Sequence, residues 1–361
     1  MKKIFLLLCC AFMCLSLCGC EQVTKKPEGE IAYIGYYNND DGPGYLEAIT
    51  RALEDYTVSA SKQYTAYQLR DVKRDTFINT IDLAIKTGAN TFVIPYDFFT
   101  VLLEVHANYP ECKFIVLDTY IDETVLGDVK NVYSASFNPY ETGYIAGYML
   151  ANEDYDSFGY SSNFSNKVEE RYISGILQGL EDACETIEVV EVVNNKEKIS
   201  KKAVNFYIYD FENVKFEDIQ TDVALAFQTK VDVFFYLGNT LYEVIEDYTY
   251  RSGFEYVAYV ANDRASENDV ITIRIDYSSL LKAALNYLDK TNNAETNMMF
   301  GIYDGVQSID YDMNYLKLSS ERLYMGFRDR ISTNDLVLLD DDSITWDKLE
   351  LKNVKVEKVS N

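Results

Sequence analysis

The chain is poor in histidine and in positive charge: it has one histidine, and 33 lysines and arginines stand against 58 aspartates and glutamates. A single His106 nearly excludes histidine-based zinc sites and leaves any Ser-His-Asp triad dependent on one residue. That residue ends a helix-like stretch, 98–106, remote from strand ends, and reads as a surface histidine rather than a catalytic one. A net charge of −25 repels phosphate backbones, so nucleic acid is not expected as a partner. Cysteine is scarce where it matters: of seven, Cys9, Cys10, Cys14 and Cys18 fall within the first 19 residues. No dense disulfide framework is possible from the rest, only one bridge between Cys112 and Cys184. No apolar run is long enough to span a membrane, which takes about 20 residues. Internal repeats and low-complexity segments are missing too.

What is there begins with a leader. Met1-Lys2-Lys3 is basic, and residues 4–17 are apolar apart from Ser16. This is the layout of a signal peptide. It closes with Leu17-Cys18-Gly19-Cys20, which resembles the bacterial lipobox and makes Cys20 the expected lipidation site. Cys18 is less usual at its position, and an ordinary signal peptide with chance cysteines is the competing reading. Residues 20–30 then read as the lipidated cysteine and a polar tether. Removing residues 1–19 leaves 342 residues and, with Lys2 and Lys3 gone, a charge of −27. The expected location is the extracytoplasmic face of the cell membrane, reached through the lipid alone.

From residue 31 onward, β-branched and aromatic runs alternate with helix-period stretches. Strands are expected at 31–36, 91–95, 113–117, 131–134, 156–160, 187–192, 203–209, 231–236 and 256–260. Amphipathic helices are expected at 45–55 and at 76–86, the second ended by Gly88. The alternation predicts an α/β fold of parallel sheets with helices on both faces, and the length predicts two lobes. Asn138-Pro139-Tyr140-Glu141 is a well-specified helix start, with Asn138 as cap and Glu141 at the third position. Gly143, Ala146 and Gly147 give that helix a small face, expected to approach a sheet closely. Residues 168–183 carry an apolar stripe with Gly175 and Gly179 beside it.

Several segments, in order, resemble one family. Residues 131–147, NVYSASFNPYETGYIAG, are similar to the "NV-S--F---E-GYLAG" of the basic membrane protein family, the substrate-binding lipoproteins of ABC transporters, several of which bind purine nucleosides. Supporting matches are KTGAN at 86–90, YPECKFIVLD at 109–118, RYISGILQG at 171–179, VDVFF at 231–235 with the turn at 238–240, and VAND at 260–263. The resemblance implies a type I periplasmic-binding-protein fold: two Rossmann-like lobes joined by a three-crossover hinge. The expected division is 31–135 plus 276–295 in lobe 1 and 136–275 plus 296–361 in lobe 2.

Ligands of open α/β sheets sit beyond the carboxyl ends of strands. After the first strand the family carries "D----DKSFN"; here Asp40 or Asp41 would replace its aspartate and Tyr45 its phenylalanine, while the serine and asparagine are missing. Asp118 ends a strand of the first lobe and Asp263 one of the second, where the family's carboxylate accepts from a ribose diol. Gly238 and Asn239 would bring backbone amides to the ligand, with Tyr236 or Tyr242 to stack. Phe137 and Asn138 lie at the first crossover, as hinge or as cleft wall. Where the family has a lysine after its "VGVDSD" strand, the chain has Thr272-Ile273-Arg274-Ile275-Asp276, with acid in place of base and Arg274 as the alternative substitute if the alignment slips. Expected, then, is a solute receptor without cofactor, metal or catalysis, passing a small polar ligand, a purine nucleoside first, to an ABC permease. A surface lipoprotein of the same fold that senses a ligand or docks a protein is the alternative. An enzyme is the third class; its only support is acidic runs such as 340–342, which read as solvated turns, and no nucleophile–base pair is visible.

Overall fold

The computed structural model describes residues 30–36, 42–121, 125, 129–162, 167–210, 231–237, 255–261, 269–291, 295–312, 314, 316, 321–332 and 345–359. The strands of the first half are β1 (Glu30–Tyr36), β2 (Tyr64–Leu69), β3 (Ala89–Pro95), β4 (Lys113–Leu117), β5 (Val132–Phe137) and β6 (Ser157–Ser162). Next come β7 (Glu188–Val193), β8 (Lys196–Lys201), β9 (Val204–Asp210), β10 (Val233–Phe235) and β11 (Glu255–Ala261). The last are β12 (Asp269–Ile275), β13 (Asn297–Phe300), β14 (Gln307–Tyr311) and β15 (Val354–Val359). The longer helices are α1 (Gly42–Ala60), α2 (Arg74–Thr87), α3 (Phe99–Val105), α4 (Pro139–Ala151), α5 (Lys167–Thr186), α6 (Tyr277–Lys290) and α7 (Glu321–Ser332).

Two sheets carry the fold. One runs β13-β5-β4-β3-β1-β2 and is parallel throughout. The other runs β14-β12-β11-β10-β6-β9-β15, with only β14 antiparallel. Both faces of the first are covered. Along β1, Ile31 and Tyr33 enter one core cluster and Ala32 and Ile34 the other. That two-residue alternation with apolar groups on both sides marks a buried parallel strand. Among the described residues the chain passes between the two sheets three times: after Phe137, after Ile275 and after Phe300. This is the three-crossover arrangement expected of the type I fold.

Four expectations are corrected. β13 pairs with β5 in the first sheet, so residues 297–300 do not fall with the second, where the division at 296 put them. The strand expected at 187–192 exists as β7, but it pairs only with β8, in a hairpin turned by Asn194 and Asn195 at φ 54° and 57°. The small face of α4 meets α5, not a sheet. A Cβ on Gly147 would lie 2.4 Å from the Ile176 carbonyl oxygen, and one on Gly179 2.1 Å from that of Tyr144. Finally, Asn138 caps α4 through the Tyr140 N–H, but Glu141 does not reach back to complete the box. Its carboxylate accepts instead from the Ile302 N–H, just after the third crossover.

Other signals held. Gly88 ends α2 at φ 114° and returns its N–H to Ala84 and Ile85. Cys112 and Cys184 are free, buried in separate core clusters, with burial raising both thiols. No disulfide links the lobes through them.

Candidate functional site

The carboxyl ends of the two sheets face one cavity of about 260 Å³. That is just under the roughly 300–1,000 Å³ of a drug-sized pocket. Its first wall begins with Asp118, which leaves β4 in the left-handed region at φ 55° and ties its N–H to Ala135. Aspartate tolerates that conformation better than most residues. The Asp118 carboxylate accepts from the Tyr277 hydroxyl at 2.7 Å. Tyr277 in turn stands edge-on to Phe137, with ring centroids 5.3 Å apart. Thr119, Tyr120 and Ser136 complete this wall.

The opposite wall comes from the second sheet and α5: Val168, Leu237 after β10, Tyr259 on β11 and Ile275 at the end of β12. Gln307 and Tyr259 share a hydrogen bond of 2.7 Å, the amide donating to the phenol oxygen. Tyr259 packs edge-on to Tyr172, 5.4 Å away, which meets Tyr160 in the same way. Burial, and after it the charge of Asp118, hold the Tyr259 hydroxyl well above its ordinary value, so it stays protonated. None of the ten described lining residues is lysine, arginine or histidine.

Of the residues expected at the site, Asp118 and Phe137 line the cavity. Tyr45 falls in the first turn of α1. Cys20, Asp40, Asp41, Gly238, Asn239 and Asp263 lie outside the described residues, as do Tyr242 and 340–342. Tyr236 is fully buried against Tyr256 and is not among the lining residues. Arg274 pairs with Asp310 across β12 and β14, and Asp276 caps α6 through Ser278 and Ser279, so neither supplies a cation to the cavity. His106 bonds Asn131 at 3.0 Å, at the amino end of β5 and so away from the carboxyl ends that line the cavity. Tyr277 and Tyr259 were missed. The signal for Tyr277 was available: an Asp-Tyr-Ser-Ser start puts an aromatic residue at the first position of a helix that follows a crossover.

The three crossovers are tied to one another. The Asn138 N–H donates to Phe300, and the Asp276 N–H to Val306. Glu141 accepts from the Ile302 N–H at 2.8 Å and fills the space that a Cβ on Gly301 would need, 2.0 Å away. Burial pushes the Glu141 carboxyl up, the Ile302 N–H opposes this, and the Asp304 charge adds to it. Among the described residues no group of His, Cys, Asp and Glu is placed to hold a metal ion, and no helix is long and apolar enough to cross a membrane.

Comparison with known proteins bears on this geometry. No curated protein matches the chain. A transcriptional activator of the comK gene from Bacillus halodurans has a similar structure, with TM-score 0.59 at 14% identity over 84% of this chain and 97% of that one. An ABC transporter solute-binding protein from Aeropyrum pernix gives 0.56 at 12% identity, over 87% and 95%. A periplasmic solute-binding protein from Actinobacillus succinogenes with bound D-allose gives 0.54 at 9%, over 80% and 99%. At such identities the likeness concerns the fold. The family Bmp, described as ABC transporter substrate-binding protein PnrA-like, matches residues 45–207. The chain therefore has the type I solute-binding-protein fold, and residues 45–207 carry the signature of the basic membrane protein family of ABC transporter substrate-binding proteins.

Proposed function

We propose that this protein is an extracytoplasmic receptor, anchored through Cys20, that captures a neutral, hydroxyl-bearing solute between its lobes and delivers it to an ABC permease. The observation that carries the reading is the cavity itself: strand ends of both sheets line it, with one carboxylate and no basic side chain among the described residues. A carboxylate accepts from ligand hydroxyls and repels anions, so phosphates and carboxylates are poor candidates. A purine nucleoside is the first candidate, in keeping with the family resemblance, with Asp118 reading ribose hydroxyls and Phe137 and Tyr277 supplying an aromatic side. The lost first-loop motif and the lost lysine argue for altered base recognition. A monosaccharide is the second candidate, because the described cavity is small and its polar groups suit hydroxyls.

Capture needs no covalent chemistry. A ligand that touches both walls stabilises the closed form, and its differential affinity offsets the cost of closing. Thermal melts of the purified protein against nucleosides, bases, sugars and amino acids test this. A ligand at about a hundredfold above its dissociation constant adds roughly 2.7 kcal/mol and raises the melting temperature by several degrees. A shift with neutral hydroxylated compounds supports the receptor. Shifts confined to anions, or none, would sink it and favour the sensing or docking lipoprotein.

A further inference from the structure

Within that cavity two buried hydroxyls have hydrogen-bonding capacity that the described residues do not use. Ser136 lies on β5, 1% exposed, and its Oγ has no partner among the described residues. Its neighbour two residues back on the same face, Ser134, is satisfied by Asn297 at 2.6 Å. The strand therefore carries one serine bonded within the fold and one that lines the cavity with its hydroxyl still buried and unpartnered among the described residues, so that a ligand group reaches it only as the walls adjust. A buried hydroxyl without a partner costs free energy, roughly 1–3 kcal/mol in proteins, and is usually rescued by water or by ligand. On the opposite wall Tyr259 is 5% exposed and, among the described residues, bonded once, to Gln307. A phenol oxygen bonded once keeps a second capacity, as donor or as acceptor according to which way the amide lies.

We propose that Ser136 and Tyr259 form a hydroxyl clamp: one hydroxyl group of the ligand bonds Ser136 of the first lobe and Tyr259 of the second, and so couples recognition to closure. The clamp rests on the receptor reading and names the ligand group that reading leaves open. A hydroxyl is the group that fits, because it both donates and accepts. It satisfies Ser136 and Tyr259 whichever orientation Gln307 takes, whereas a carbonyl only accepts and an ammonium only donates. A site built to bond a hydroxyl also rejects the analogue that lacks it, since its own buried groups are then left unpaired. The clamp thus sets specificity between a ligand and its deoxy form, separately from the charge of Asp118.

The test is a double-mutant cycle by isothermal titration on the purified protein. Inosine, guanosine and adenosine are titrated with their 2′-, 3′- and 5′-deoxy forms, and D-allose and D-glucose with their monodeoxy forms, into wild type, Ser136→Ala and Tyr259→Phe. For the compound that binds, one particular deoxy form is expected to bind wild type roughly tenfold more weakly or worse. Ser136→Ala should lose a comparable factor for the parent compound and little more for that deoxy form. Tyr259→Phe should behave in the same way at the same ligand position, so either variant reads the clamp if the other fails to fold. Ser136→Ala should melt no lower than wild type, because it removes an unsatisfied group. The clamp is overturned if wild type binds and both variants keep the full discrimination against every deoxy form. Wild type that binds none of these compounds overturns the receptor reading and the clamp together.

Discussion

The two walls of the cavity are built from the same fold and differ in chemistry. The first-lobe wall is polar, with Asp118, Thr119 and Ser136, and is braced by Tyr277 reaching back to the carboxylate. The described part of the second-lobe wall is apolar, with Val168, Leu237 and Ile275, apart from the Tyr259 hydroxyl. Polar groups fixed before binding give specificity without reorganisation, while apolar groups gain most when closure removes them from water. On this account the first lobe reads the ligand and the second covers it, and substitutions on the two sides should act differently.

The largest expected effect is on the reading side. Asp118→Ala removes the charged acceptor and leaves Tyr277 without that partner, and affinity should fall roughly 10- to 100-fold. Asp118 is exposed, but alanine fits φ 55° less well than aspartate, so the variant should also lose about 1 kcal/mol of stability; titration and a melt of the same variant check both halves. Next comes the part that spaces the walls. Gly301→Ala would put a Cβ 2.0 Å from the Glu141 carboxylate, and should cost about 1–3 kcal/mol in urea unfolding while weakening binding on both sides. Tyr277→Phe keeps the ring against Phe137 but loses one hydrogen bond to the carboxylate, and should weaken binding by roughly three- to tenfold. Leu237→Ala on the covering wall should act mainly by faster dissociation, by a few-fold, seen in stopped-flow release. If Leu237→Ala outweighs Asp118→Ala, the division of labour between the walls is wrong.

The smallest effect concerns pH. The folded Glu141 carboxyl titrates above its ordinary value. The folded state therefore holds that proton more tightly than the unfolded chain, and this contribution is fully present below the ordinary glutamate value. It is lost as pH rises through the raised folded value. Wild type should lose a little stability across that window in urea titrations. Glu141→Gln, which still offers an oxygen to the Ile302 N–H, should flatten the slope.

Much of the frame was readable in the sequence. Strands expected at 31–36 and 113–117 occur at Glu30–Tyr36 and Lys113–Leu117, because buried parallel strands are short, continuous apolar runs with clear ends. β2, Tyr64–Leu69, was missed: it is an edge strand, half-exposed, and its Tyr-Thr-Ala-Tyr-Gln-Leu makes no continuous apolar run of the kind that marks the buried strands. β7 was found but given the wrong partner, since a valine-rich run says that a strand forms and not what it pairs with. The glycines of α4 and α5 signalled close approach correctly and its target wrongly, because the pattern is the same whether a helix or a sheet arrives. For the site, the resemblance led to Asp118 and Phe137 through strand ends. Tyr277 had a local signal in its helix start, whereas Tyr259 could not be told apart among the 31 tyrosines, because what distinguishes it is a partner far away in sequence, Gln307.

Small-angle X-ray scattering of the purified protein, alone and saturated with the neutral compound that raises its melting temperature most, tests most directly whether the two walls close on a ligand. The account predicts a measurable contraction of the radius of gyration with ligand, reduced in Gly301→Ala. Scattering curves that superimpose with and without a compound shown to bind would contradict closure as the means of capture.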